Sequence, residues 1–215
     1  MAIESQGTVI QIGTGSGGAE TITAMTLSNP TVLTSVAHSL NNGDVATAAL
    51  FAGADAASIN AIDWVIKYVT DDTFAIELDS TDLTIDDNTD SATMTPVAYT
   101  SIGEVTDFDG PSGTASVIDV THLGSTAKEK LMGLPDEGQF TFSINWDQDD
   151  AGQQAAIAAR TARTEEDFKV TYSDTSTATF SGFVLGVTSS GGVDGKVSGS
   201  MTIEISGAVT FTPAA

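Results

Sequence analysis

Apolar and polar residues alternate along most of this chain. From Gln139 to Trp146, the side chains of Phe140, Phe142, Ile144 and Trp146 point one way, and Gln139, Thr141, Ser143 and Asn145 point the other. From Val197 to Ser206, Val197, Met201, Ile203 and Ile205 share a face opposed by Ser198, Ser200, Thr202, Glu204 and Ser206. A period of two with one polar face predicts antiparallel strands half-buried against a core. Phe168–Tyr172 and Thr177–Val187 fit the same scheme. In the latter, the apolar phase moves from Ala178 and Phe180 to Phe183, Leu185 and Val187, which predicts a bulge near Gly182.

One segment departs from this period. Asp150–Arg163 is rich in Ala and Gln, with Asp147, Asp149 and Asp150 at its start and Arg160 and Arg163 at its end. Acids before and bases after complement a helix dipole, so the pattern predicts one helix of about four turns. In the first half, Thr31–Ser35, Val45–Phe51, Trp64–Thr70 and Thr73–Leu78 read as short strands. Asn41-Asn42-Gly43-Asp44 and Asp71-Asp72 supply turns. These strands imply a small β-barrel or sandwich of their own, entered through a flexible junction at Gly13–Gly18. The expected class is mainly β: an antiparallel sandwich or partial barrel with one flanking helix, plus an inserted small β-barrel domain.

Charge narrows the partners. The chain carries 29 acids against seven bases, a formal charge of −22. So few cations cannot hold nucleic acid on an outer surface by releasing counterions. Acidity also serves solubility, and it suits a wall along which DNA slides without sticking. There is no cysteine, so disulfides and thiolate chemistry are excluded. The first residues lack a basic stretch followed by an apolar one, and no run approaches the roughly 18 apolar residues of a membrane span. The expectation is a soluble product made in the cytoplasm, without a membrane partner.

Catalytic patterns are missing. His38 and His122 lie in different regions and read as turn or loop residues, so neither is a base beside a nucleophile. Gly13–Gly18 lacks the lysine of a phosphate-binding loop. Asp71/Asp72, Asp86/Asp87 and Glu165/Glu166/Asp167 read as solvated turns. Asp86, Asn88 and Asp90 begin like a calcium loop, but Ser91 and Val97 stand where the glycine and the bidentate glutamate belong. Trp64 and Trp146 alternate with apolar neighbours and read as core. No catalytic residue, cofactor or metal is expected.

From Tyr99 onward the chain resembles the tail tube proteins of phages with long non-contractile tails. The resemblance is carried by Ile102-Gly103-Glu104-Val105-Thr106, Asp109-Gly110-Pro111, Ile118-Asp119-Val120-Thr121 and Gly133-Leu134-Pro135-Asp136. It continues through Asp149-Asp150-Ala151-Gly152-Gln153-Gln154, Phe180-Ser181-Gly182-Phe183-Val184 and Ile203-Glu204-Ile205-Ser206-Gly207. In that family the N-terminal strand, here Gly7–Gly13, runs almost directly into the Ile-Gly-Glu-Val segment; in this chain roughly 80 residues intervene. The intervening piece is similar to a small β-module of phage structural proteins, on Asn29-Pro30, Thr34, Ala37-His38-Ser39-Leu40, Gly43-Asp44, Ile59-Asn60, Thr73-Phe74 and Asp79-Ser80-Thr81. Ser39 and Ala61 stand where such modules usually have glycine.

The resemblance implies a discontinuous tube domain, residues 1–19 and 97–215, with residues 20–96 inserted on a surface loop and displayed outside. It implies hexameric rings stacked into a virion tail tube, made in the host cytoplasm. Partners would be further copies of the chain and the tape measure and tail-end proteins, with DNA passing through unbound. Between Pro111 and Gly138, Ile118, Val120, Leu123, Leu131, Met132 and Leu134 either form an arm that packs on the next ring or fold back on their own core. The polar faces holding Thr141, Ser143, Asn145, Ser198, Ser200, Thr202 and Glu204 either line the lumen or are solvated outer faces. A reading from another class is a carbohydrate- or surface-binding β-module of a tail tip or capsid. Exposed aromatics would favour it.

Overall fold

The computed structural model describes residues 3–87 and 91–214. Its strands are β1 (Val9–Ser16), β2 (Glu20–Thr21), β3 (Ala24–Thr26), β4 (Thr31–Thr34), β5 (Val45–Ala49), β6 (Asp63–Val65) and β7 (Thr73–Ile76). They continue with β8 (Thr93–Ile102), β9 (Val105–Asp109), β10 (Thr114–Asp119), β11 (Lys130–Asp136) and β12 (Gln139–Asn145). The helix α1 (Ala151–Ala162) follows, and then β13 (Glu165–Thr171), β14 (Thr177–Ser190) and β15 (Ser198–Thr212). Among the described residues the protein is thus mainly β and antiparallel with one α-helix, and no sheet closes into a barrel.

The chain forms two compact units. The first contains the chain up to Ile102, then Glu166–Thr179 and the segment from Thr210; the second contains Gly103–Glu165 and Phe180–Val209. In the first unit the hydrogen-bonded order is β6-β5-β8-β1-β13-β14, with β2 also on β8 and a separate sheet β3-β4-β7. β8 begins at Thr93 beside β5 and ends at Ile102 beside β1, so one ten-residue strand spans the expected boundary at residue 97. Within 22–94, Ile22, Leu33, Phe51, Ile59, Phe74, Ile76 and Met94 close a core of their own. Ile10, Ile12, Phe168 and Val170 are buried in register on β1 and β13.

Several expectations change here. Gly13–Gly18 is no flexible junction: β1 runs through Ser16, paired with β8 as far as Ser16↔Val97, and the Gly17 N–H donates to the Pro96 carbonyl at 2.7 Å. Gly13 and Gly17 serve close approach, since a Cβ on Gly13 would sit 2.9 Å from Val97 Cγ1 and one on Gly17 3.0 Å from Pro96 Cγ. The strand expected over Trp64–Thr70 stops at Val65, and Tyr68 takes a left-handed φ of 52°, which no strand can include. β13 is not wet on one face, because Phe168, Lys169 and Val170 are all buried. Lys169 reaches across to Asp44, Nζ donating to Oδ1 at 2.5 Å, with its ammonium 5.4 Å from the centre of the Tyr99 ring.

In the second unit the order is β14-β15-β12-β9, with β10-β11 as a separate pair. Phe140 is the centre of its core, with ring centroids 5.4 Å from Phe180, 6.0 Å from Phe142 and 6.1 Å from Phe108. The apolar phase of β14 does not move at Gly182: Ala178, Phe180, Gly182 and Val184 are all buried, and Phe183 and Leu185 are exposed. Gly182 instead lets β15 approach, because a Cβ there would lie 2.6 Å from the Glu204 carbonyl oxygen. Val197 precedes β15 and is exposed, so it does not join the buried face of Met201, Ile203 and Ile205. Trp64 and Trp146 are half-buried; Trp64 packs against the core of the first unit, and its indole N–H donates to the Ile59 carbonyl.

The helix matches its prediction and shows how it is set. Asp150 is the N-cap, its Oδ1 accepting from the Gln153 N–H at 2.7 Å and its Oδ2 from the Gly103 N–H at 3.2 Å. Gln153 is fully buried. Its amide donates to the carbonyls of Gly103 and Asn145 and its oxygen accepts from the Asp147 N–H, which ties the helix start to Gly103 and the end of β12. Arg163 closes the helix in a left-handed C-cap.

Candidate assembly surface and polar wall

Two surfaces of the second unit hold the residues expected to matter. The first is the β10–β11 hairpin. Val117 pairs with Met132, Ile118 with Leu131, and Asp119 with Lys130. Successive strand residues face opposite sides, so Val117 and Met132 lie on one face, and Ile118 and Leu131 on the other. Both faces are therefore apolar, and both are open to solvent. Met132 is 78% exposed, Leu134 90% and Leu123 fully exposed, while Ile118, Val120 and Leu131 are also exposed. The hairpin does not fold back on its own core.

The connecting loop is ordered by short-range bonds. Val120 N–H donates to the Glu129 carbonyl at 3.0 Å and Thr121 N–H to Asp119 Oδ1 at 2.9 Å. The Thr121 hydroxyl and N–H hold the Asp119 carboxyl below its usual range. A lone two-stranded ribbon is marginal in water, and this one has no apolar face covered.

The second surface is one face of the sheet β9-β12-β15. Register sets Gln139 opposite Glu204, Thr141 opposite Thr202, Ser143 opposite Ser200 and Asn145 opposite Ser198. Directly opposed residues share a face, so all seven expected wall residues form one continuous strip, each half-buried. On the other flank Asp109 stands opposite Thr141 and Asp107 opposite Ser143. The strip is laced by Gln139 Nε2 donating to Glu204 at 2.9 Å, Asn145 Nδ2 donating to Glu104 at 2.8 Å, and Thr188 and Ser200 hydroxyls 2.9 Å apart.

Asp107 and Asp109 belong to this wall and were not anticipated. The alternation Asp107-Phe108-Asp109, with Phe108 against Phe142, was the available signal. The wall thus combines hydroxyls, amides and carboxylates, and none of these positions is basic. Such a surface holds water well and repels phosphate within about a Debye length of 8 Å.

Other candidates come to nothing catalytic. His38 and His122 both lie in loops, the first edge-on to Phe74 with centroids 5.2 Å apart. Among the described residues no group of three or more His, Cys, Asp or Glu could hold a metal. The calcium-like stretch includes Asn88 and Asp90, which lie outside the described residues. No helix is long and apolar enough to cross a membrane.

The fold and its two surfaces define an antiparallel β protein with an uncovered apolar hairpin and a polar strip on one sheet face. Comparison with known families gives the class its name: residues 84–212 match the lambda phage tail tube protein family, and the chain belongs to that family. Among solved structures, the tail of an empty GTA particle, computed with helical refinement in C6 symmetry, aligns with a TM-score of 0.46 at 18% identity. That alignment covers 53% of this chain and 86% of the other. No curated protein matches the sequence.

Proposed function

We propose that six copies of this chain close into a ring and that rings stack into the tail tube, a conduit through which DNA leaves the virion without specific binding. The observation that carries this reading is the β10–β11 hairpin with both faces apolar and exposed. It serves as the inter-ring arm, with Ile118, Val120, Leu123, Leu131, Met132 and Leu134 seated against the next ring. Burying each such side chain contributes roughly 1.5–3 kcal/mol before the cost of ordering. Six per hairpin, repeated six times around a ring, is ample for a stable stack.

The polar strip on β9, β12 and β15 is the lumen wall in this reading. Thr141, Ser143, Asn145, Ser198, Ser200, Thr202 and Glu204 face the passing DNA, with Asp107 and Asp109 adding negative charge. Residues 20–96 form an inserted domain on the tube exterior, and the discontinuous tube domain comprises 1–19 and 97–215. Synthesis is in the host cytoplasm, followed by incorporation in the tail against the tape measure and tail-end proteins.

Negative-stain microscopy of the purified chain tests the assembly, with rings or tubes of uniform diameter expected. In the variant Leu131→Ser/Met132→Ser, stacking should be lost while the monomer keeps its melting temperature, because exposed substitutions cost within about 0.5 kcal/mol. Unchanged tubes from that variant would remove the hairpin from the interface. A second reading, a surface-binding module, has one observation behind it: the exposed aromatic ring of Tyr68 within the inserted segment.

A further inference from the structure

The first unit holds a cavity of about 240 Å³ lined by Asn42, Lys67, Tyr68, Glu77, Thr212 and Pro213. We propose that it binds a neutral, polyhydroxylated ligand, a single hexose-type residue of a carbohydrate chain, with Tyr68 as its stacking platform. The proposal stands apart from the tube reading and does not need it.

Tyr68 is the first reason. It is 67% exposed and sits at a φ of 52°, a left-handed conformation in which a bulky residue is an outlier. The backbone on either side is fixed. Lys67 and Ala75 exchange N–H to carbonyl bonds at 2.8 and 2.9 Å, and Asn42 Oδ1 accepts from the Val69 N–H at 3.2 Å. Glycine would satisfy this turn without strain, yet an aromatic ring occupies it and remains in solvent. Backbone strain of this sort gathers at binding sites.

The chemistry of the walls selects the ligand. Lys67 and Glu77 form an ion pair at 2.6 Å, so together they offer donor and acceptor with no net charge. An anionic ligand would meet a paired cation in a chain of charge −22, and a cationic ligand would meet a paired carboxylate. Thr212 is only 4% exposed and its hydroxyl has no hydrogen-bond partner. Such a group is uncommon in a folded protein, and it lies in a residue that lines the cavity. The volume is below the range for drug-sized ligands, which suits one sugar ring. Tyr supplies a rigid amphipathic surface for the C–H face of that ring.

Saturation-transfer difference NMR on the full chain tests the proposal, with methyl α-glucopyranoside, methyl α-galactopyranoside and N-acetylglucosamine as probes. At least one should receive saturation at its ring C–H protons, and N-acetylneuraminic acid, an anion, should receive less. Tyr68→Gly removes the ring and relieves the left-handed φ, so the fold should persist while the signal falls to background. Three results overturn the proposal: no transfer to any of the three neutral probes, undiminished transfer in Tyr68→Gly, or loss of ring assembly in Tyr68→Gly, which would make this face a contact between copies. Rings that persist while no probe binds would sink the sugar site and leave the tube reading intact.

Discussion

Replacing Asp44 by asparagine should destabilise the first unit severely, and replacing Lys169 by methionine in the same chain should restore it. Asp44 and Lys169 are each 8% exposed and 2.5 Å apart, and they join the turn before β5 to the middle of β13. Asp44→Asn retains size, and its side-chain oxygen can still accept from the Asn41 N–H, which now donates to Oδ2 at 2.7 Å. What is lost is the charge facing a buried ammonium. Breaking one half of a buried pair costs about 3–5 kcal/mol, a large share of the roughly 5–15 kcal/mol that holds a domain together. For units of this size that is a fall in melting temperature of roughly 6–20 °C.

Tyr99 does not rescue the ammonium. Its ring gives a cation–π contact of about 0.5–2 kcal/mol whether or not the Asp44 carboxylate is present. Burial, and then the carboxylates of Asp167, Asp44 and Asp63, push its hydroxyl far above the ordinary range, so it supplies no phenolate charge. Lys169→Met, by contrast, removes the ion to be neutralised and keeps a flexible apolar stem. Apolar replacement of a buried pair is typically neutral or stabilising.

Urea unfolding followed by tryptophan fluorescence reads the effect unit by unit. Trp64 lies in the first unit and Trp146 in the second, so a Trp146→Phe background reports the first alone. A loss under about 1 kcal/mol in Asp44→Asn, or a double variant no better than the single, would refute the argument. The same pair governs deletion of residues 20–96. Excision with a short Gly-Ser linker strands Lys169, so tubes should form from the deletion only when Lys169→Met accompanies it.

Two further outcomes are expected. Gly182→Ala places a methyl 2.6 Å from the Glu204 carbonyl oxygen and 2.8 Å from Ile203 Cγ2, so β14 and β15 must part; overpacking of this kind costs about 1–3 kcal/mol, read by the Trp146 unfolding transition in a Trp64→Phe background. Ser143→Lys/Ser200→Lys puts two cations per chain on the polar strip; tubes should still form under the microscope, but fluorescently labelled duplex DNA should be retained by them at low salt and released as salt rises, as counterion release demands.

The strands of the second unit were legible because one face of each is apolar and the other is not. Gln139–Asn145 and Ser198–Ser206 could be placed, faced and paired in kind from alternation alone, and the helix from its acidic start, alanines and closing arginines. What escaped were positions where a residue's surroundings come from distant sequence. Lys169 looks like a solvated strand residue until Asp44, 125 positions away, is brought against it. Phe183 and Leu185 looked like a new buried phase because hydrophobicity alone does not distinguish an uncovered apolar residue from a covered one. For the same reason Gly182 reads as a bulge in the sequence; its smallness serves the neighbouring strand, not its own.

That confusion has a converse in the hairpin, and there it becomes informative. Leu131, Met132 and Leu134 looked like core or contact on composition, and their exposure within the folded chain separates the two. A monomer gains nothing from seven exposed apolar side chains on a ribbon held by few bonds, and it bears the aggregation hazard of a flat apolar edge. The residues fit a chain whose final packing partner is another molecule. Since both faces of the ribbon are apolar, that partner must cover two sides, which a groove can do and a flat surface cannot. In the tube proposed above, the hairpin should therefore insert into the next ring: hydrogen exchange at Val117–Val120 and Leu131–Leu134 should slow on both strands when tubes form, whereas protection of one strand alone would mean that the ribbon merely lies against its neighbour.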